Sequence, residues 1–337
     1  MKKWGVIVLI IFLITAIIWL AARQCGCVNP IGKPNPKTRD FDKYSYSNLR
    51  KTKFESSQIK FGKVLSEGAG YVSRMFYFKV SNRKVSGLIN IPTNRGTFPV
   101  IVMIRGYVDL EIYQTGIGTQ HGGEVLAQNG FITLAPDFLG YGESEMPFGS
   151  SMEERFLTYP TILTLIASIK NLNQVLEENN YQDIKVDSEK IGIWAHSNGG
   201  QIALSVLEIS GKDYPTVLWA PVSKPFPYSI LYYTDEFDDN GRALRKVVSD
   251  FENTYECDKY SLTNYLNWIK SPIQLHQGGI DEAVPQKWSD NFVKELEKNK
   301  IDVEYFTYPN EDHNFSNGSW GTVIERTVGF YKNKFNK

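Results

Sequence analysis

From residue 70 onward, short apolar runs alternate with segments that have a helical spacing of apolar positions. "YVSRMFYFKV" and "KVSGLINIP" lie on either side of "SNR", a pattern that predicts two paired strands. Six further runs predict strands, and several are apolar throughout, as is typical of strands buried on both faces. These runs are "FPVIVMIRG", "FITLAPD", "KIGIWAH", "TVLWAPV", "SPIQLHQG" and "VEYFTYP".

Segments with helical spacing separate these strands. They are "GGEVLAQNG", "YPTILTLIASIKNLNQVLEEN", "GGQIALSVLEIS", "PQKWSDNFVKELEKNK" and "GTVIERTVGFYKNKF". Strands that alternate with helices at this spacing predict an α/β fold, with a mostly parallel, doubly wound sheet and helices on both faces. Residues 223–268 interrupt the alternation and are predicted to form a small cap insertion.

The cap segment contains "PYSILYYTDEFDD", in which aromatic rings accompany four carboxylates. The carboxylates are Asp235, Glu236, Asp238 and Asp239. Two interpretations stay open. The segment is either a pocket for a free amine, an aromatic group or an acyl group, or a solvated acidic loop.

The N-terminus differs from the rest of the chain. Residues 4–22, "WGVIVLIIFLITAIIWLAA", carry no charge, and a helix of this length spans roughly the 30 Å core of a bilayer. Lys2 and Lys3 precede the run, which favours an N-terminus in the cytoplasm. We therefore expect one transmembrane helix (1–23), a proline-rich linker (24–69) and a catalytic domain (70–337) outside the cell membrane. A cleaved signal peptide or a lipoprotein signal are the alternatives.

Composition narrows the class of protein. Lys plus Arg and Asp plus Glu both number 37 in the 337 residues, a balance that does not favour a nucleic-acid-binding protein. The three cysteines, Cys25, Cys27 and Cys257, are an odd number, and we interpret them as non-catalytic. Because the chain has no cluster of metal ligands and no phosphate-binding loop, we expect neither a metal nor a cofactor.

"WAHSNGG", residues 194–200, lies between a predicted strand and a predicted helix. A serine on a sharp strand-to-helix turn, flanked by small residues, is the G-x-S-x-G pattern of an exposed nucleophile. Here Ser197 has the position of the nucleophile and Ala195 replaces the first glycine. Gly200 would let the following helix pack close to the strand.

A serine nucleophile needs a base, and the chain has four histidines. His313 follows the last predicted strand, at the same sheet edge as Ser197, and is the candidate base. His196 is expected to point elsewhere, His276 to lie in the core, and His121 to begin a helix. Asp281, after the preceding strand, is the candidate orienting carboxylate, with the adjacent Glu282 as the fallback.

Two backbone N–H groups are needed to stabilise an oxyanion. The first expected donor is the N–H of Asn198, directly after the nucleophile. The second is the N–H of Tyr107, in the loop after the first buried parallel strand. The chain order Ser197, Asp281, His313 is the one expected for a nucleophile, an acid and a base on this type of fold.

"AHSNGG", "GGIDEAVP" and "EDHNF", with "PDFLGYGES" before them, resemble the α/β-hydrolase fold. Residues 70–335 are most similar to the prolyl oligopeptidase catalytic domain and its dienelactone-hydrolase-like relatives. Asp137, Gly140, Gly142 and Ser144 match the D-x-x-G-x-G-x-S turn of that branch. The resemblance implies hydrolysis of amides or esters through an acyl-enzyme, and a structural role for this turn.

The chain departs from that family in two ways. The segment between the apolar run and the first strand is too short for the β-propeller of the oligopeptidases. Arg105 stands where many relatives carry histidine, and near the place of the tyrosine whose hydroxyl helps the oxyanion in some peptidases. Glycans on the sequons at Asn314 and Asn317 would crowd His313, so we expect neither to be modified.

We therefore expect a membrane-anchored serine hydrolase that acts on a small peptide or ester, with a slight preference for the peptidase interpretation. A carboxylesterase is the near alternative. A hydrolase fold that only binds a ligand, and an enzyme that transfers an acyl group to an acceptor other than water, are two further alternatives.

Overall fold

The computed structural model describes residues 39–147, 149–234 and 237–336. Within these ranges, no helix is long and apolar enough to cross a membrane. The predicted anchor, Cys25, Cys27, Asp235 and Glu236 lie outside the described residues. One compact unit begins at Phe41 and contains all the strands and helices given below.

Nine strands form a single sheet in the order β1-β2-β3-β5-β4-β6-β7-β8-β9. The strands are β1 (Lys60–Gly68), β2 (Tyr71–Val80), β3 (Arg83–Pro92), β4 (Gly96–Ile104), β5 (Ile132–Pro136), β6 (Ile184–His196), β7 (Thr216–Trp219), β8 (Ile273–Gly278) and β9 (Val303–Tyr308). The pairs from β1 to β3, and β3 with β5, are antiparallel, whereas all the other pairs are parallel. The expected mostly parallel α/β sheet is confirmed.

The predicted hairpin forms between β2 and β3. Ser81 and Asn82 connect the two strands with φ values of 48° and 64°. Two central residues with positive φ are typical of the tight turns whose twist matches that of paired strands. The short polar segment "SNR" therefore fixes the register in which β2 pairs with β3.

Nine α-helices accompany these strands within the described ranges. They are α1 (Tyr46–Leu49), α2 (Gln120–Gln128), α3 (Ser151–Ser168), α4 (Leu172–Glu178), α5 (Asn198–Ser210), α6 (Tyr228–Leu231), α7 (Arg242–Glu252), α8 (Gln286–Lys298) and α9 (Trp320–Asn336). The single helix predicted for 159–179 is instead α3 and α4, separated by a 3₁₀ turn. The helix α3 also begins earlier, because the Ser150 side chain caps it by accepting from the N–H of Glu153.

The predicted linker extends to residue 69, whereas residues 41–68 belong to the compact unit that contains the sheet. Tyr46 is fully buried, and Phe41 packs its ring 5.4 Å from that of Tyr255. The strand β1 lies at the sheet edge and exposes most of its side chains, so its composition lacks the apolar signature of a buried strand. Distant contacts order this segment, and its local sequence does not show them.

Alternate residues of β4 face two separate cores. Val102 and Ile104 pack in the larger core, with residues of α3, α4 and α5. Ile101 and Met103 pack in a second core, with residues of α2 and α9. Helices therefore cover both faces of the sheet, and the loops at the carboxyl ends of its strands remain free to form a site.

The described residues of 223–268, the segment predicted to form a cap, lie between β7 and β8. The described part of this insertion contains α6, α7 and three 3₁₀ turns, and no strand. Phe226 and Phe251 are buried and lie 5.5 Å apart between ring centroids, next to Phe156 of α3. The cap is therefore attached to the main domain through an aromatic contact.

Candidate active site

Ser197 lies at the junction of β6 and α5, in a strained backbone conformation with φ 55° and ψ −124°. Its N–H donates to the carbonyl of Trp219 over 2.9 Å. Its own carbonyl accepts from the N–H groups of Gly200 (2.9 Å) and Val222 (3.0 Å). Three backbone hydrogen bonds, with β7, the loop after β7 and α5, thus hold this serine in the unfavourable φ region.

The glycines around Ser197 allow the backbones to approach one another. A β-carbon on Gly199 would lie 2.2 Å from the carbonyl oxygen of Ile104, and one on Gly200 would lie 2.4 Å from Cβ of Pro221. A β-carbon on Gly106 would lie 2.9 Å from Cβ of Ser197. The loop after β4 therefore passes directly beside the serine, at the position expected for an oxyanion-binding loop.

His313 and Asp281 are in direct contact. Nδ1 of His313 lies 2.8 Å from Oδ2 of Asp281, and the side chain of the aspartate is completely buried. The same carboxylate accepts from the N–H of Val284 (2.7 Å) and from Nε2 of Gln277 (3.0 Å). Three donors therefore fix the carboxylate in the orientation in which it holds the histidine ring.

His196 links Ser197 to this pair. Its Nε2 lies 2.9 Å from the carbonyl oxygen of His313, and the two imidazole centroids are 4.6 Å apart. Burial lowers the pKa of His196 to about 4, so its ring is neutral at neutral pH. A neutral imidazole donates one hydrogen bond, and here it donates to the backbone of the candidate base.

Sequence reasoning missed His196 and Gln277 as supporting residues. Gln277 donates to Asp281 and also accepts from the hydroxyl of Ser289 over 2.7 Å. Its position at the end of β8, four residues before the aspartate, is a signal that could have identified it. The position of His196 next to the nucleophile was visible, but its contact with the His313 loop depends on the tertiary fold.

The remaining histidines lie where the sequence placed them. His276 is fully buried in β8 between Tyr308 and Gln274, and burial lowers its pKa to about 3. His121 is in the first turn of α2, where it stacks on Trp320 with 4.0 Å between the ring centroids. Glu282, the fallback carboxylate, is exposed, whereas His313 contacts Asp281.

The two expected oxyanion donors belong to α5 and to the loop after β4. Asn198 is the first residue of α5, where backbone N–H groups have no acceptor within the helix. Tyr107 is in the loop that Gly106 brings against the serine. Across the described residues, neither of these N–H groups has a hydrogen-bond acceptor. Both therefore remain available to a developing negative charge.

A cavity of about 160 Å³ adjoins these donors. Apolar side chains line part of its wall, and Arg105, Glu154 and the threonines of α3 line the rest. The lining residues include Tyr107, Asn198, Phe138, Tyr141, Leu157 and Ile202. The cavity is thus placed to hold part of a substrate whose carbonyl points at the two N–H groups.

The D-x-x-G-x-G-x-S turn has the structural role that the resemblance implies. The buried carboxylate of Asp137 accepts from the hydroxyls of Ser86 (2.5 Å), Tyr113 (2.7 Å) and Thr115 (2.7 Å). Ser144 is tied to β3, because its hydroxyl accepts from the N–H of Ser86. This network joins β3, the loop after β4 and the loop after β5.

Cys257 is a free cysteine in the cap. Burial, with Glu252 beside it, raises the pKa of its thiol to about 12. An uncharged thiol is a poor nucleophile at neutral pH, which agrees with the non-catalytic interpretation.

Comparison with solved structures shows the same fold in esterases and peptidases. Acetyl xylan esterase 1 from Thermoanaerobacterium sp. JW/SL YS485 has a TM-score of 0.55 at 16% identity, covering 87% of this chain and 94% of that chain. A puromycin-hydrolyzing peptidase of Mycobacterium tuberculosis has a TM-score of 0.55 at 17% identity, covering 79% and 40%. Pyrococcus horikoshii acylaminoacyl peptidase has a TM-score of 0.55 at 19% identity, covering 80% and 42%.

One curated relative is the dipeptidyl peptidase family member 6 of Caenorhabditis elegans. It is 38% identical to this chain over 66 residues, which are 20% of this chain and 9% of the length of that relative. The family model of the prolyl oligopeptidase family matches residues 119–337, a range that contains Ser197, Asp281 and His313. Because that match covers more than half of the chain, the protein belongs to the prolyl oligopeptidase family and is a serine hydrolase.

Proposed function

We propose that this protein hydrolyses an amide or ester bond through an acyl-enzyme on Ser197. The observation that carries the proposal is the 2.8 Å contact between His313 and the buried Asp281, beside a serine held at positive φ. Nucleophile, base and orienting acid are the three parts of a general serine hydrolase mechanism.

In the first half-reaction, Nε2 of His313 takes the hydroxyl proton as Oγ of Ser197 attacks the substrate carbonyl carbon. Asp281 holds Nδ1–H, which fixes the tautomer in which Nε2 carries the lone pair. The carbonyl oxygen becomes an oxyanion and accepts from the N–H groups of Asn198 and Tyr107. The imidazolium of His313 then returns the proton to the leaving amine or alcohol as the carbon–leaving-group bond breaks.

In the second half-reaction, water attacks the acyl-enzyme. His313 accepts one proton from this water, and the new oxyanion binds to the same two N–H groups. Collapse of that intermediate breaks the bond to Oγ of Ser197, which takes back the proton. The products are a carboxylic acid and the unmodified enzyme.

A short peptide amide is the first substrate class that we propose, because of the family to which the chain belongs. The names of several relatives also describe peptidases. This chain spans only 40% of the puromycin-hydrolyzing peptidase and 42% of the acylaminoacyl peptidase. The way in which those two enzymes select peptides is therefore not transferred to it.

A short-chain ester is the second candidate, and two observations favour it. The match covers 94% of acetyl xylan esterase 1, so the shared fold includes nearly all of that enzyme. The cavity beside the oxyanion donors measures about 160 Å³. This cavity is smaller than the roughly 300–1,000 Å³ of pockets that bury a drug-sized ligand, which favours a small acyl group.

We further propose that residues 1–23 anchor the enzyme in the cell membrane, with the catalytic domain outside the cytoplasm. The uncharged run 4–22 and the preceding lysines support this proposal. Alkaline carbonate extraction should leave the full chain in the membrane pellet. Deletion of 1–23 should move it to the supernatant, and recovery of the full chain in the supernatant would contradict the anchor.

Labelling by a fluorophosphonate probe tests the catalytic proposal first. The full chain should be labelled, and Ser197→Ala should not be. Ser205→Ala is the matched control, because Ser205 is buried in α5 and should not affect labelling. Absence of labelling in folded wild-type protein would favour a binding module. Aminoacyl amides and short acyl esters would then separate the peptidase from the esterase.

A further inference from the structure

Arg105 is an unusually placed charge, immediately after β4 and before the oxyanion loop. Only 6% of the residue is exposed. Its guanidinium carbon lies 4.4 Å from the ring centroid of Tyr113 and 4.1 Å from that of Tyr141. Cation–π contacts on both sides confine the guanidinium to the space between the two rings.

The hydrogen bonds of this guanidinium go to backbone carbonyls. Nη1 donates to the carbonyl of Gly106 over 2.9 Å, and Nη2 donates to the carbonyl of Asp137 over 3.1 Å. The first carbonyl belongs to the oxyanion loop, and the second belongs to the turn whose carboxylate binds Tyr113. Arg105 therefore joins the oxyanion loop to the turn that contains Asp137, whose carboxylate accepts three side-chain hydrogen bonds.

The hydrogen bond from Arg105 to the carbonyl of Gly106 also affects the direction of the next N–H group, that of Tyr107. The carbonyl of Gly106 and the N–H of Tyr107 belong to one planar unit, and in a trans peptide they point in opposite directions. A donor that holds the carbonyl on one side consequently sets the direction of the N–H on the other. Gly106 borders Ser197, where the N–H of Tyr107 has no acceptor among the described residues.

We propose that Arg105 is a positioning residue for the oxyanion hole. It fixes the orientation of the peptide between Gly106 and Tyr107, so that the N–H of Tyr107 points at the oxyanion that forms on the substrate. Its charge also polarises that peptide, because a cation on the carbonyl strengthens the N–H as a donor. The inference rests on the proposed function, since it needs an oxyanion to form next to Ser197.

The test compares an oxygen ester with its thiono analogue. p-Nitrophenyl acetate forms an oxyanion, whereas O-p-nitrophenyl thionoacetate forms a larger sulfur anion that accepts hydrogen bonds poorly. A well-directed N–H therefore accelerates the oxygen ester more than the thiono ester. The ratio of the two kcat values measures oxyanion stabilisation, and a general loss of stability would not change it.

Arg105→Gln in the full chain should lower kcat for the oxygen ester by about 10- to 100-fold, because a misdirected oxyanion donor loses much of its effect. KM should change by less than about twofold, and the ratio of oxygen ester to thiono ester should fall about tenfold. Arg105→Lys keeps the positive charge but replaces the planar guanidinium, which can donate in two directions, with a compact ammonium group. The ratio of oxygen ester to thiono ester should therefore be intermediate. The lysine variant also serves if the glutamine variant does not fold.

Arg74→Gln is the matched control. Arg74 also packs on two aromatic rings, those of Phe61 and Tyr181, and donates to the carbonyl of Gly62, but it lies on β2. This variant should lose stability and keep the wild-type ratio. If both Arg105 variants keep the wild-type ratio, either because no rate falls or because both esters lose rate equally, the positioning role alone is wrong. A wild-type protein that neither reacts with the probe nor hydrolyses either ester would overturn the proposed function itself.

Discussion

The acid–base side and the oxyanion side of the site are held in different ways. On the acid–base side, His313 belongs to a loop in which Phe315 is completely buried, and Asp281 accepts three hydrogen bonds in the interior. On the oxyanion side, the loop after β4 exposes 67% of Tyr107 and 65% of Ile112. Buried packing and hydrogen bonds hold the first side, whereas the second has exposed side chains and, as we propose, is positioned by the buried Arg105.

This difference suggests a division of roles. A base must keep a single tautomer and orientation, which buried hydrogen bonds provide. A loop that meets the substrate needs exposed apolar surface, so its backbone has to be fixed from behind. The residue that we propose fixes it, Arg105, is buried between the rings of Tyr113 and Tyr141.

The largest effect is expected on the acid–base side. His313→Ala removes the candidate base that contacts Asp281 and should lower kcat/KM by about 10⁵- to 10⁶-fold with an unchanged circular dichroism spectrum. His121→Ala is the control, because His121 contacts Trp320 in α9. If His121→Ala inactivates and His313→Ala does not, the assignment of the base is wrong.

Asp281→Asn should have the next largest effect, about 10⁴-fold on kcat, because an amide favours the wrong tautomer of His313. Glu282→Gln should stay within about twofold of wild type, because the Glu282 side chain is exposed and the candidate base contacts Asp281. Steady-state kinetics of the two single variants measures this contrast. Equal losses in both would show that the two carboxylates share the role.

On the oxyanion side, Gly106→Ala should lower kcat by about 10- to 100-fold, because a β-carbon there meets Cβ of Ser197 at 2.9 Å. Gly321→Ala is the control, since a β-carbon at this position of α9 meets nothing within 4 Å. Kinetics and thermal unfolding of both variants distinguish a displaced nucleophile from lost stability. An active Gly106→Ala protein would show that this loop tolerates movement.

The smallest effect concerns stability and pH. The pKa of His196 is about 4 in the fold, against about 6.5 in an unfolded chain, so below pH 6.5 the unfolded state binds a proton that the fold does not. The free energy of unfolding should therefore fall as the pH drops from about 6.5 to about 4, by up to about 3 kcal/mol for this group. His276, with a folded pKa of about 3, acts in the same direction.

Denaturant unfolding at pH 7 and pH 4.5 measures how far the free energy of unfolding falls between these two pH values. His196→Asn should make this fall smaller but not remove it, because His276 still gains its proton only on unfolding. If the free energy of unfolding falls by the wild-type amount in this variant, His196 is charged in the fold. Since His196 donates to the carbonyl of His313, loss of stability at low pH is expected to accompany loss of order in the acid–base loop.

The sequence by itself determined eight of the nine strands, the mostly parallel direction of the sheet and the chain order of the loops that carry the candidate site residues. Apolar runs such as that of β4 specify buried strands, and small residues on both sides of Ser197 specify a sharp turn, because both patterns are local. The positions of Asp281 and His313 followed from the rule that carboxyl ends of parallel strands meet at one edge.

The tertiary structure alone decided the supporting contacts. The boundary at Phe41, the bond from His196 to the His313 loop and the enclosure of Arg105 by Tyr113 and Tyr141 all join residues distant in the chain or on separate loops. An arginine between two tyrosines gives no periodic signal, and an edge strand such as β1 has no apolar signature. Such contacts are fixed by packing in three dimensions, which residue spacing does not record.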